Sequence, residues 1–331
     1  MADASALFES ANEFCSARRC AEAVAFWEQA STLRPADPEI HYQLGFCYAA
    51  GCGMEFVLDP EVAIFHYRRA LALATRGNIV GRAMVLGALG NAYVVASRRG
   101  ENLFSNALRC YEEAAGNYLE ARQMADWARE QFNLGNLWCE MPEDSYPVKW
   151  QRAIEHYQQA LSVRTRWLHM RHYVATLQNM GTAYRQLKSG DISANIRKAI
   201  ECYHRALRAL RKPAPGRKRG DLHHNLGNAY LGLAGAGEET ARNCTRALRH
   251  FDRALAMRSR DDSPFDYAAL EFSRGQALLR LAEQGVRVSA NLDAARICFA
   301  EATQAFLRSG HAELAEKAMK HLEAIPERTA A

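Results

Sequence analysis

His66, Cys110, His156, Cys202, His250 and Cys298 alternate the two side-chain types that bind transition metals most readily, and each stands directly before Tyr67, Tyr111, Tyr157, Tyr203, Phe251 or Phe299. Metal chemistry would require several of them to meet around one ion. If each lies on its own helix, the helix axes stand roughly 8–10 Å apart, whereas ligand atoms must approach a metal to about 2 Å. The series is therefore expected to be a small, half-buried packing column that binds no metal. His223-His224 and the pair His169 and His172 lack a companion carboxylate or cysteine pattern. The nine cysteines are an odd number and form no C-x-x-C pair; Cys15 and Cys20, like Cys47 and Cys52, are five apart. Reduced, mostly buried thiols are the expectation.

Other chemistry has no carrier. The chain contains no G-x-x-x-x-G-K-S/T phosphate loop, no H-E-x-x-H pair, no G-x-S-x-G elbow and no G-x-G-x-x-G after a strand. A non-enzymatic protein without a cofactor is expected. Trp27, Trp127, Trp138, Trp150 and Trp167 fall at helix contacts or helix ends, where packing is a better account than a ligand cage.

The elements that hold these residues follow from a repeat. Leu44-Gly45-Phe46-Cys47-Tyr48, Leu89-Gly90-Asn91-Ala92-Tyr93, Leu134-Gly135-Asn136-Leu137-Trp138, Met180-Gly181-Thr182-Ala183-Tyr184 and Leu226-Gly227-Asn228-Ala229-Tyr230 are copies of one block, with a degenerate copy at Gly275. Successive glycines are 45, 45, 46, 46 and 48 residues apart. A second block follows each of them. Ala63-Ile64 with Tyr67 and Ala70 sets its i, i+1, i+4, i+7 spacing, and Ala107, Ala153, Ala199, Ala247 and, more weakly, Ala295 lead the later copies. This spacing lays a stripe on one helical face. Each repeat is thus a pair: helix A carries the glycine, helix B the alanines and the aromatic. Glycine inside a helix costs roughly 0.5–1 kcal/mol relative to alanine. Its recurrence implies that a neighbouring helix approaches where the side chain is missing.

Ala11, Phe14, Ala23, Trp27, Ala30 and Pro35 fit the same frame at a 34-residue period, since Ala11 to Gly45 is 34. The pattern resembles the tetratricopeptide repeat (TPR), and the longer later copies are similar to bacterial CHAT-associated arrays and to arrays of the Pins type. The resemblance implies an all-α, right-handed α-solenoid over 1–331. It would comprise about seven helix pairs, near 4–37, 38–82, 83–127, 128–173, 174–219, 220–267 and 268–310, and a capping helix at 311–325. All nine prolines fall in the expected turns, and Asp37-Pro38, Asp59-Pro60 and Ser263-Pro264 suit helix starts.

In such a solenoid helix A lines the concave groove. The residue after each glycine reads Asn12, Phe46, Asn91, Asn136, Thr182, Asn228, Gln276; the residue two before it reads Glu9, Gln43, Ala88, Asn133, Asn179, Asn225, Ser273. Three residues apart, the two columns share a helical face. Asparagine offers both donor and acceptor, so a ladder of them can pair with a peptide backbone whatever its side chains. Similar families use asparagines at matching places to grip extended chains. The expected partner-binding set is Asn12, Asn91, Asn133, Asn136, Asn179, Asn225 and Asn228, with Arg129 and Arg185 reaching carboxylates of the partner. Phe46 and Ala88 interrupt the ladder. The alternative is that these asparagines stabilise contacts between helices and bind nothing. Asn195, Asn243 and Asn291, each four before a helix-B alanine, are expected to be helix caps or loop anchors.

With 49% hydrophobic and 24% charged residues the chain can bury a long core, and its net charge of +5 does not by itself call for nucleic acid. No uninterrupted apolar run of membrane-spanning length and no signal-like start are present, so a cytoplasmic protein without membrane contact is expected. Charge is uneven: Arg164 to Asp221 holds fourteen Lys and Arg against three acids, whereas Glu101 to Ala160 holds ten acids against five bases. The leading expectation is a bacterial-type scaffold or adaptor that clasps a disordered or C-terminal, acidic segment of a partner protein. A regulatory subunit or inhibitor of a separate enzyme such as a CHAT-type protease is the second, and nucleic-acid binding through the basic stretch, including the turn Arg211 to Arg219, the third. Self-association through an exposed end of the array is a further possibility.

Overall fold

The computed structural model describes residues 4–17, 19–50, 59–75, 77–210, 216–258, 260–261 and 263–326. Cys52, Pro213, Pro215 and the first part of the basic turn, 211–215, lie outside them. The described residues form fifteen α-helices and no strand. The chain divides into two compact units, Met1–Arg164 and Thr165–Ala331. The first contains four helix pairs: α1 (Ala4–Ser16) with α2 (Cys20–Leu33), α3 (Pro38–Ala50) with α4 (Pro60–Leu73), α5 (Ile79–Arg98) with α6 (Phe104–Glu120), and α7 (Met124–Glu140) with α8 (Lys149–Val163). The second contains α9 (Met170–Gln186) with α10 (Ile192–Ala209), α11 (Gly216–Gly235) with α12 (Thr240–Leu255), α13 (Pro264–Glu283) with α14 (Val288–Arg308), and the closing α15 (Ala312–Glu323). Within each unit every helix packs on the next, and α3 with α5, and α11 with both α9 and α13, also touch. Within each unit, helices A of neighbouring repeats therefore stand side by side and build a wall.

Local sequence explains where helices begin. Asp59 accepts from the Val62 amide at 3.0 Å, Asn78 from Gly81 at 2.9 Å and Asp191 from Ala194 at 3.0 Å. Each satisfies an orphan amide of a first turn. Pro38, Pro60 and Pro264 open their helices as the sequence suggests, although Ser263 makes no side-chain cap. The cap at Asn78 starts α5 before the boundary expected at 82/83, so that helix A gains a turn at its N-terminal end. α5 is long and apolar enough to cross a membrane by length and composition, but more than half of it is buried between its neighbours in the stack. Asn195 donates to the carbonyls of Leu187 and Ser189, Asn243 to Glu238 and Asn291 to Val286, which makes these asparagines anchors of the A–B loops.

The core is a row of rings set against glycines. Trp27, Tyr67, Tyr111 and Tyr157 are buried in the first unit, and Tyr203, Phe251 and Phe299 in the second. A β-carbon on Gly135 would stand 2.5 Å from the Tyr157 ring, and one on Gly181 2.6 Å from the Tyr203 ring. The close approach inferred from the glycine period is thus made by the helix-B aromatic lying flat against helix A. Its flanking alanines, such as Ala153 and Ala160, have no solvent exposure. Each sealed ring contributes roughly 1.5–3 kcal/mol through burial, ample to offset the helix propensity lost at glycine.

Candidate partner-binding groove

In the first unit the exposed faces of α3, α5 and α7 enclose a cavity of about 560 Å³. The frame places it: Phe46 and Asn91 follow the glycines of α3 and α5, Ala88 and Asn133 precede those of α5 and α7 by two, and all four line the cavity. Phe46 and Met84 are 42% and 46% exposed there, and Tyr42 and Val80 join them. The two interruptions of the asparagine ladder therefore form an apolar section of the groove.

The polar section centres on Glu130, a residue only 1% exposed. Arg129 Nε and Asn133 Nδ2 both donate to it at 3.1 Å. Burial pushes its pKa above the ordinary carboxylate value, while Arg129 and these hydrogen bonds oppose the rise. A β-carbon on Gly87 would meet Glu130 Oε1 at 3.1 Å, so this glycine of α5 leaves room for the carboxylate. Arg129 also binds Asp126 and donates to Tyr118 Oη at 3.1 Å. The guanidinium expected to reach a partner's carboxylates is held by two of the protein's own.

The asparagines divide into two sets. Tyr111 Oη donates to Asn91 Oδ1 at 2.6 Å and Tyr157 Oη to Asn136 Oδ1 at 2.8 Å; Thr182 Oγ1 and Tyr203 Oη meet at 3.2 Å in the same way. In α5, α7 and α9 the residue after the glycine thus meets the hydroxyl of the ring packed on that glycine. In α11 the ring is Phe251, which has no hydroxyl, and among the described residues neither Asn225 nor Asn228 makes a side-chain hydrogen bond. Both are half-buried, as is Asn179 on α9, whereas Asn12 on α1 is exposed. Beside Asn225, burial and then the charge of Arg258 bring His224 down to about 4, against the pull of Asp266, and Arg185 adds to the drop. Arg258 is held in turn by Asp221 and, at 2.7 Å, by Asp266. Arg185 is half-buried on α9, close enough to α11 for its charge to act on His224.

Scanned against protein-family models the sequence matches none, and among curated proteins it finds no relative. Solved structures do match. The C-terminal part of a TPR repeat-containing protein from Cytophaga hutchinsonii superposes with a TM-score of 0.59 at 11% identity, over 95% of this chain and 99% of that one. A tetratricopeptide repeat protein from Parabacteroides merdae gives 0.59 at 13% identity, over 96% and 98%. The fold is that of a tetratricopeptide-repeat array. The apo form of RapI is also similar, at 0.56 and 17% identity over 86% of this chain and 96% of that one.

Several contacts in this helical array escape a linear reading. In the second, fourth and sixth repeats the helix-A residue four before the glycine meets the helix-B residue before the aromatic. His41 Nδ1 lies 3.2 Å from His66 Nδ1, His156 Nδ1 donates to Gln131 Oε1 at 2.7 Å, and His223 Nδ1 lies 3.0 Å from His250 Nδ1. His223, which looks isolated in the sequence, thus has a histidine partner. Each His–His contact requires one ring nitrogen to donate and the other to accept. Burial brings His66, His223 and His250 down to about 4. The cysteines of the column are buried, and burial pushes Cys110 up to about 11 and Cys202 and Cys298 up to about 12, so they are protonated thiols. Among the described residues no three His, Cys, Asp or Glu side chains converge as metal ligands would.

Proposed function

We propose that this chain is a non-enzymatic interaction scaffold that holds an extended segment of a partner protein along the wall made by helices A. The observation that carries the proposal is the groove of the first unit, where Phe46 and Met84 stand open to solvent beside the amides of Asn91 and Asn133. Apolar anchors with a few placed amides suit a peptide, whose side chains fill the apolar section while its backbone pairs with Asn91 Nδ2 and Asn133 Oδ1, the amide atoms not engaged by Tyr111 and Glu130. Asn225 and Asn228 extend the same chemistry to the second unit, with Asn179 on the adjacent helix.

The preference for an acidic segment is assigned to the second unit. In the first, Arg129 is neutralised by Asp126 and Glu130. In the second, Arg185 lies on the same wall as Asn179, within a stretch of strong basic excess, and draws carboxylates to it. Selection of random displayed peptides on the full chain tests the reading. Selected peptides are expected to lose about tenfold or more in affinity to a Phe46→Ala/Met84→Ala variant or to an Asn225→Ala/Asn228→Ala variant. Undiminished binding to both variants would place the interface elsewhere.

A further inference from the structure

The opposite face of α5 borders a second basin, about 630 Å³, between helices α4 and α6. Arg68 of α4, Arg82 of α5 and Arg109 of α6 converge on it over a floor that includes Leu71 and Tyr93. One acid, Glu113, shares the basin and lies 3.6 Å from Arg82. Arg82 also donates to the Leu71 carbonyl at 3.3 Å and is thereby fixed in the wall. Among the described residues neither Arg68 nor Arg109 has a carboxylate partner, and both are exposed. Three guanidinium groups against one carboxylate leave the basin two positive charges in excess.

We infer that this basin is a second docking site, for an acidic segment of a partner protein in which carboxylates flank an apolar side chain. Arg68 and Arg109 each present a planar fork matched to a carboxylate, and the apolar floor between them accepts a side chain such as leucine. The basin is open at its rim, whereas a small-molecule site encloses most of its ligand. A nucleic-acid backbone would need the positive charge to continue along the stack. It does not: one repeat further on, the positions of Arg68 and Arg109 are taken by Glu112 and Glu155. Because this face is opposite the groove of helices A, the array can hold two segments at once.

Fluorescence anisotropy of the full chain with a labelled Glu-Glu-Leu-Glu-Glu peptide tests the assignment. Binding is expected to weaken as salt rises, and to fall on the order of a hundredfold in Arg68→Glu/Arg109→Glu, about tenfold for each lost charged contact. Arg68→Gln/Arg109→Gln, which adds no repulsion, is expected to fall about tenfold or more; circular dichroism verifies the helical content of both variants. The groove variant Phe46→Ala/Met84→Ala is expected to bind this peptide like the parent, which separates failure of the basin from failure of the groove. Absence of binding, equal binding of a Lys-Lys-Leu-Lys-Lys peptide, indifference to both arginine variants, or tighter capture of a labelled single-stranded oligonucleotide would each overturn the proposal.

Discussion

The fourth and sixth repeats share a frame and use it differently. Both place Leu-Gly-Asn on helix A and a histidine before the helix-B ring. In the fourth, Asn136 receives the Tyr157 hydroxyl and His156 donates to an amide, Gln131. In the sixth, the ring against the glycine is Phe251, Asn228 has no side-chain hydrogen bond among the described residues, and His250 pairs with a second histidine, His223. The same asparagine is therefore a structural acceptor in one repeat and an open amide in the other. The same histidine is indifferent to its partner's protonation in one and coupled to it in the other.

The largest expected difference is in pH dependence. His223 and His250 stay neutral in the fold because burial brings both to about 4, whereas in the unfolded chain they titrate near 6.5. Above pH 6.5 both states are neutral and the stabilisation is fully present. As pH falls, the unfolded chain takes up protons first, so stability declines from pH 6.5 until the folded histidines titrate near 4. Replacing the pair by the residues of the fifth repeat, His223→Leu with His250→Cys, matches Leu177 and Cys202 at the same places. Urea unfolding at pH 7.5 and pH 4.5 is expected to show the variant losing up to about 5 kcal/mol less than the parent over that interval, about 2.5 kcal/mol for each histidine. His66 and His224, lowered by burial as well, retain part of the slope. Equal losses in parent and variant would show that the pair is not coupled to folding.

A smaller effect probes what the two repeats have in common. The ring lies against the glycine in both, so Gly135→Ala and Gly227→Ala are each expected to cost about 2 kcal/mol, overpacking outweighing the gain in helix propensity. Denaturant midpoints that rise for either variant would mean the ring can step aside.

How much of this was legible in the sequence follows from what each feature depends on. The glycine, the ring and the alanines recur at fixed intervals, and each interval is set by one helix or one pair, so period alone recovers the helix pairs. Anchoring by Asn195 is local as well, since its acceptors Leu187 and Ser189 are within eight residues. The role of Asn136 is not local: it depends on whether the ring 21 residues later ends in a hydroxyl. His41 with His66, 25 residues apart, and His223 with His250, 27 apart, join a helix-A place to a helix-B place whose occupants change from repeat to repeat. No run of identical residues marks such a pair. The basin of Arg68, Arg82 and Arg109 draws on three helices, and a charge count along the chain dilutes it with the acids of α6 and α7.

Asparagine truncation separates the two repeats directly. Asn136→Ala removes the Tyr157 hydroxyl's acceptor at 2.8 Å and leaves it the weaker Cys139 Sγ at 3.5 Å, a cost of about 1–2 kcal/mol. Asn228→Ala removes no side-chain hydrogen bond among the described residues and is expected to change stability by less than about 0.5 kcal/mol. Equal costs at the two sites would erase the distinction between structural and open amides.

The smallest expected effect comes from exchanging the rings. Tyr157→Phe removes the hydroxyl that donates to Asn136 Oδ1 and meets Cys139 Sγ at 3.5 Å, at a cost of about 1 kcal/mol. Phe251→Tyr places a hydroxyl opposite Asn228, and because Gly227 packs on this ring as Gly135 does on Tyr157, the hydroxyl is expected to reach Asn228 Oδ1 and recover up to about 1 kcal/mol. Stability alone would not distinguish that bond from better burial of the ring, but ligand binding does. Once the Asn228 oxygen accepts from tyrosine it is no longer available to a peptide amide, so Phe251→Tyr is expected to raise stability while weakening a groove-selected peptide several-fold. A variant that gains stability and binds the peptide unchanged would show that Asn228 takes no part in holding the partner's backbone.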